Sequence, residues 1–390
     1  MSRLLIIGKF PYPKGAAASV RIKNIAEGFV SNGWAVDVIN FGVASSDDEV
    51  VEPKVEHRLL YPLPKGKCWP EQWALFVAPR LVAQGLSSLC ADRDYRAAYV
   101  YGRAASINAP LFRALKRAGV CIINDINESP EHFHGKGGRW SPNYWNGWLG
   151  YHRTALRADL ITGISQEICA YYEKRGISAH CMPSVENYEE MPLPFPIWER
   201  DYGPELLYMG AMFERDRPDW MLRALGTLAQ QGVPFKLNLI GGYSTRASAS
   251  KLLAEVMAEF PMLADRVVQY GRVSDDELQR LMSDSVLCFV LRRDHIAERC
   301  SFPTRLVECL KAARCVISSN VPDVPSYLTH GENAILLRQE SLERDAEVLK
   351  IFFNDPIRTQ KLAEAGREQA EIVFCAKQHT ARLIERIASL

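Results

Sequence analysis

Short apolar runs alternate with amphipathic segments along almost the whole chain, and that alternation admits few folds. Residues 4–7 read as a strand, 20–32 as a helix that turns Val20, Ile25, Phe29 and Val30 inward, and Gly33 closes the helix before a second strand over 35–41. Residues 97–101, 121–125 and 160–163 continue the strands, with helices over 109–118 and 167–175. Pro183, Pro192, Pro194, Pro196 and Pro204 then break regular structure. Beyond them the pattern restarts, with strands over 206–209, 236–240, 267–270, 286–291, 316–318 and 334–337 and helices over 219–230 and 276–283. Apolar strands separated by helices require a parallel sheet covered on both faces. Two such α/β halves in 390 residues, joined by a proline-rich hinge, predict two Rossmann-like domains whose natural ligand site is the cleft between them. The expected limits are 1–190, 191–370 and a terminal helix over 371–390, within a helical pattern that runs over 362–390.

Composition narrows the function. A formal charge of +1 gives no basic field for nucleic acid. No apolar run approaches the ~20 residues of a membrane span, and the first residues read as a strand rather than a secretory signal. Ten cysteines without a C-x-x-C pair suit reduced thiols in a cytoplasmic protein better than a zinc site or a disulfide framework.

The densest chemical signal lies in 301–319, SFPTRLVECLKAARCVISS, which reads as loop, short helix, tight turn and buried strand. Pro303 suits a helix start, and Glu308 falls on the second turn. Free N–H groups at a helix amino end favour a phosphate, and a nearby carboxylate can accept hydrogen bonds from a ribose. By itself the segment favours a plain helix with one exposed glutamate. The loop after the first strand, GKFPYPKGAAASVR, is built of small residues that let backbone N–H groups approach a ligand, with Gly15, Ala16, Ser19 and Arg21 expected to face the cleft. It is not the G-x-G-x-x-G fingerprint, which argues against a dehydrogenase. Ser274 and Glu277 have the spacing of a capping box.

The run FPTRLVECLKAARCVISSNVPDVPSYL resembles the donor-binding segment of the family 4 glycosyltransferases, which have the GT-B fold. That family often carries E-x7-E here; Glu308 is the second glutamate, but Cys300 stands where the first would be, with Glu298 two residues away. The resemblance implies a retaining transfer from a nucleotide-diphosphate sugar, without a dedicated nucleophile, a cofactor or a metal. It places Ser301, Phe302, Thr304, Arg305 and Glu308 around the donor, and in AMFERDRPD it makes Arg215 the cation on the diphosphate, with Arg217 its rival. VVQYGRVSDDEL resembles the family's base pocket, lined by Gly271, Arg272 and Val273, and Gly241 with Gly242 opens space for the nucleotide. The closing AEAGREQAEIVF resembles the GT-B ending, in which a terminal helix returns to the N-terminal domain.

On the acceptor side, NDINESPEHFH follows a central strand, and Glu128 is the candidate polar contact, with Asp125 and Asn127 as rivals. His132 and His134 read as a solvated pair rather than a metal site. The aromatic stretch GKGGRWSPNYWNGWLGYHR could stack on sugars, meet a membrane interface or pack a core. Lys65, Lys67, Trp69, Trp73, Phe76 and Arg80 read as a half-buried helix, the alternative being contact with a lipid-linked acceptor at the inner membrane face. The implied partners are a nucleotide sugar and a glycan or lipid-linked acceptor in polysaccharide or lipopolysaccharide assembly. Two further functions stay open: a degenerate GT-B subunit that only binds nucleotide or glycan, and sugar-nucleotide epimerisation, which loss of the first glutamate disfavours.

Overall fold

A computed structural model describes residues 2–13, 17–41, 55–60, 69–132, 138–199, 201–242, 246–321 and 323–390. The chain forms two compact units, one of Met1–Asn187, Arg299–Phe302 and Phe374–Leu390, the other of Tyr188–Glu298 and Pro303–Val373.

The first unit is built from β1 (Arg3–Gly8), α1 (Ala17–Ser31), β2 (Ala35–Phe41), β3 (Val55–Leu60), α2 (Trp69–Asp92), β4 (Tyr95–Tyr101), α3 (Ala105–Arg117), β5 (Cys121–Ile126), α4 (Pro142–Leu149), β6 (Leu160–Gly163), α5 (Gln166–Glu173) and β7 (Ala179–Cys181). Its sheet is parallel throughout, in the order β3-β2-β1-β4-β5-β6-β7. Leu4, Leu5, Ile6 and Ile7 are all fully buried, as a central strand covered on both faces requires.

The second unit contains β8 (Glu205–Met209), α6 (Pro218–Gln230), β9 (Lys236–Ile240), α7 (Ala247–Glu259), β10 (Val267–Gly271), α8 (Asp275–Asp284), β11 (Leu287–Val290), α9 (Ile296–Arg299), α10 (Thr304–Lys311), β12 (Cys315–Ser319), β13 (Ile335–Leu337), α11 (Leu342–Phe353) and α12 (Pro356–Val373). Arg299, the last residue of α9, groups with the first unit. The order β10-β9-β8-β11-β12-β13 is again all parallel. In each sheet the strand order reverses beside the unit's first strand, between β1 and β4 and between β8 and β11. Loops at the carboxyl ends of those strands are where an open α/β sheet takes its ligand.

The proline-rich stretch is tied to the second unit by three side chains. The fully buried Arg314 donates to the Pro194 carbonyl at 2.6 Å, Arg367 to the Glu190 carbonyl at 3.1 Å, and Trp198 Nε1 to the Phe353 carbonyl at 3.1 Å.

The terminal helical pattern is not one helix. It breaks at Phe374 and Cys375, where the Glu186 amide donates to the Phe374 carbonyl and the Ala376 amide to the Glu186 carbonyl, both at 2.9 Å. The last helix, α13 (Ala376–Ser389), therefore packs with the first unit. Gly28 of α1 lets it approach: an ideal β-carbon there would stand 2.8 Å from the Ala376 carbonyl oxygen. Asn32 then donates to the Lys377 carbonyl at 2.8 Å.

Candidate functional site

Three glycines end the first three strands of the second unit and form a floor. The Gly210 amide, after β8, donates to the Ile240 carbonyl at 2.8 Å, and the Gly241 amide, after β9, donates to the Gly271 carbonyl at 2.6 Å. Gly241 has φ +127° and Gly271 φ +70°, conformations open to glycine at little cost. An ideal β-carbon on Gly210 would fall 2.6 Å from Arg305 Nη1, so the missing side chain makes room for that guanidinium. The Arg272 guanidinium lies beside Gly242 on the same edge, while Val273 is half-buried.

Arginines gather over this floor where the strand order reverses. The loop after β8 supplies Arg215, and the loop after β11 supplies Arg292. The two loops are joined by the Arg293 amide donating to the Arg215 carbonyl at 3.0 Å, and the Arg292 amide donates to Ser319 Oγ at 2.8 Å. One oxygen of Asp216 stands 3.9 Å from the Nε of both Arg215 and Arg292. Burial, with the nearby charges of Arg215 and Arg305, holds the Arg292 guanidinium below its ordinary pKa, while Asp216 and Glu298 oppose that shift. Arg215 and Arg292 thus share one close carboxylate, with the charge of Arg305 felt at Arg292, an arrangement that favours an added anion.

Arg217 goes elsewhere. It adopts φ +48° before α6, and its guanidinium pairs with Asp219 at 3.3 Å and lies 5.0 Å from the Trp220 ring centroid.

Thr304 is the first residue of α10, no side chain caps the amino end of that helix, and its first turn carries no acid. Glu308 follows on the next turn, half-buried. Ser301 and Phe302 group with the first unit, where Phe302 packs on Phe374 with ring centroids 5.5 Å apart. Glu298 pairs with Arg293 at 3.2 Å and with His295 at 3.4 Å, and Cys300 is buried within the first unit. Gly15, Ala16, Lys65, Lys67 and His134 lie outside the described residues, as do the side chains of Trp69, Trp73, Phe76 and His132.

In the first unit the expectation for Ser19 and Arg21 is corrected: both are buried parts of the scaffold. Ser19 Oγ donates to the Pro11 carbonyl at 2.8 Å. Arg21 makes two 2.9 Å bonds to Asp125 and also donates to the carbonyls of Met182 and Pro183. Thr162 and Asn127 also donate to Asp125, so that carboxylate and Asn127 belong to a buried network. Glu128 is left at the end of β5, half-exposed and paired with Arg103 through one 3.2 Å contact. Helix α4 and the residue after it lie against Arg103 through glycines: ideal β-carbons on Gly147 and Gly150 would stand 3.3 and 1.4 Å from Arg103 atoms. The aromatic stretch forms a ladder, Trp145 to Trp148 to His152 to Tyr171, that runs from a half-exposed tryptophan toward the buried Tyr151 and Tyr172. Among the described residues no helix is long and apolar enough to cross a membrane.

Arg292 was not among the residues singled out in the sequence; it stands two residues beyond the apolar strand β11, beside the point where the strand order reverses.

Residues 203–355 match the family model described as Glycosyl transferases group 1. No curated protein matches the chain. Among solved structures, the sucrose-phosphate synthase of Thermosynechococcus elongatus is 15% identical over 100% of both chains with a TM-score of 0.73. Anabaena HepE, in complex with UDP and glucose, is 16% identical over 100% of both, with a TM-score of 0.69. WaaG, a glycosyltransferase involved in lipopolysaccharide biosynthesis, is 15% identical over 97% of this chain and 99% of its own, with a TM-score of 0.62. The two parallel-sheet units have the GT-B fold, and the second resembles the group 1 glycosyltransferases in sequence.

Proposed function

We propose that this chain, a GT-B glycosyltransferase by its fold and by the group 1 match of its second unit, moves a sugar from a UDP- or GDP-linked donor to a glycan or lipid-linked acceptor with retention of configuration. One observation carries the reading: Arg215 and Arg292 share Asp216 and Arg305 lies beside Gly210 with its charge felt at Arg292, at the reversal point of the second sheet. Guanidinium groups in that position neutralise a diphosphate and stabilise it as it departs, a task that positioned cations perform in phosphate chemistry. The uncapped end of α10 adds amide hydrogens, and Glu308 accepts the ribose hydroxyls. Gly271, Arg272 and Val273 line the base, and Glu128 meets the acceptor. The leaving phosphate assists the incoming hydroxyl, so no enzyme nucleophile, cofactor or metal is required. The UDP and glucose held by HepE and the lipopolysaccharide role of WaaG favour a nucleotide sugar and a cell-surface glycan. The setting is the cytoplasm, with peripheral contact at the inner membrane face.

Thermal denaturation with UDP, GDP and ADP tests the donor site, because a ligand that binds the native state raises its melting temperature. One of the three should do so. Mass spectrometry of incubations with the matching sugar donors should then detect transfer or slow donor hydrolysis. If no nucleotide shifts the transition, the reading falls.

A second reading, a subunit that binds nucleotide or glycan without turnover, is favoured by the buried Cys300 at the first-glutamate position and by the commitment of Glu298 to Arg293. Donor hydrolysis by the purified protein would eliminate it.

A further inference from the structure

Phe213 lies in the AMFERDRPD run without a role assigned above, and Arg246 belongs to none of the motifs, yet together they bring a fourth arginine to the edge of the cluster. The guanidinium carbon of Arg215 lies 5.0 Å from the Phe213 ring centroid, and that of Arg246 lies 4.0 Å from it. One ring face attracts a cation, so a shared ring holds together two groups that would otherwise repel. The Nε atoms of both arginines are buried and, among the described residues, meet no hydrogen-bond partner. A buried charged donor without an acceptor is costly, and two beside one ring form a site that an anion completes. Arg246 directly precedes α7, whose amino end has no side-chain cap and whose first turn carries no carboxylate, so the helix adds positive potential there. Asp216, the close carboxylate of Arg215, is already shared with Arg292.

Building on the donor reading, we propose that Arg246 is a second arginine that binds the donor diphosphate, and that Phe213 is the positioning residue that holds Arg215 and Arg246 together for it. With the two guanidinium groups gathered at one ring, each donates to the oxygens of a different phosphoryl group. A nucleoside monophosphate engages one of them and a diphosphate engages both.

Calorimetric titration tests this with UDP, GDP and ADP and their monophosphates, at several salt concentrations. Arg246→Ala should weaken the preferred diphosphate by about tenfold to a hundredfold, the scale of a lost charge-assisted pair, and the monophosphate by about threefold or less. Its diphosphate affinity should also depend less steeply on salt. Arg246→Lys should recover part of the loss by restoring the charge without the fork, and it carries the test if the alanine variant fails to fold. Phe213→Leu should weaken the diphosphate more than the monophosphate. Equal losses for both ligands, or no loss, would overturn the assignment while wild-type binding left the donor reading standing. If the wild type binds no nucleoside diphosphate, the donor reading fails and the role of Arg246 fails with it.

Discussion

An ideal β-carbon on Gly241 would stand 2.2 Å from the carbonyl oxygen of Gly210. The obstacle is backbone, which cannot rotate aside, and the φ of +127° adds strain for any L side chain. Gly210 has a different obstacle: its β-carbon would meet the ends of the Arg305 and Tyr208 side chains, at 2.6 and 2.9 Å. Gly241→Ala should therefore destabilise the second unit by about 3 kcal/mol or more in denaturant titrations. Gly210→Ala should unfold close to the wild-type midpoint yet lose nucleotide-induced stabilisation, because it displaces a guanidinium rather than the chain. Equal stability losses in the two variants would remove the glycine floor from the account of binding.

The arginine cluster predicts a ranking of variants. Arg215→Ala and Arg292→Ala should each lower turnover by roughly 10²–10³, the scale of one lost transition-state donor. Arg217→Ala should cost far less, since its guanidinium is engaged by Asp219 and Trp220. Arg292→Lys should resemble Arg292→Ala more than the wild type, because an ammonium is more strongly hydrated and loses more on burial. Steady-state kinetics with the donor identified by mass spectrometry would check the order, and Arg217→Ala as the most damaged variant would contradict it.

What the sequence disclosed was whatever depends on local pattern. The bounds of β2, β6 and β9 follow directly from their apolar runs, and Ser274 caps α8 by accepting from the Glu277 amide at 3.3 Å. What it concealed depends on distant partners. AEIVFCAKQ contains no glycine or proline, so nothing local ends a helix there; the break exists because Cys375 pairs with Glu186. Arg21 reads as a loop-facing cation until Asp125, 104 residues away, is seen to hold it. Arg292 resembles any surface arginine after a strand until the strand order is known.

That Arg21–Asp125 pair is a prediction about stability rather than chemistry. Both side chains are buried, and each bonds to further groups in the core. Removing one partner strands a charge out of water, so Asp125→Ala should destabilise the first unit by about 3–5 kcal/mol. Arg21→Met with Asp125→Leu should recover much of that loss, since paired apolar replacements leave no orphan charge. A hydrogen-exchange or denaturant comparison of the two variants would decide, and a double variant worse than the single one would mean that the pair is needed to order the Met182 and Pro183 carbonyls.

The buried His180 makes acid stability the last test. Its Nε2 lies 3.2 Å from His379 Nδ1, and burial, followed by the charges of His379, Arg386, Arg382 and Arg21, holds its pKa down at about 3. In the unfolded chain an imidazole titrates near 6.5. Below that pH the unfolded state takes up a proton that the folded state refuses, so protonation favours unfolding. The contribution of neutral His180 is complete above pH ~6.5 and should be lost at up to about 1.4 kcal/mol per pH unit as the pH falls toward 3. Denaturant midpoints measured at intervals from about pH 7 to pH 4 should therefore decline more steeply for the wild type than for His180→Gln, by about one proton's worth of slope. Parallel declines would show that His180 accepts its proton inside the folded unit, with His379 and the neighbouring arginines unable to prevent it.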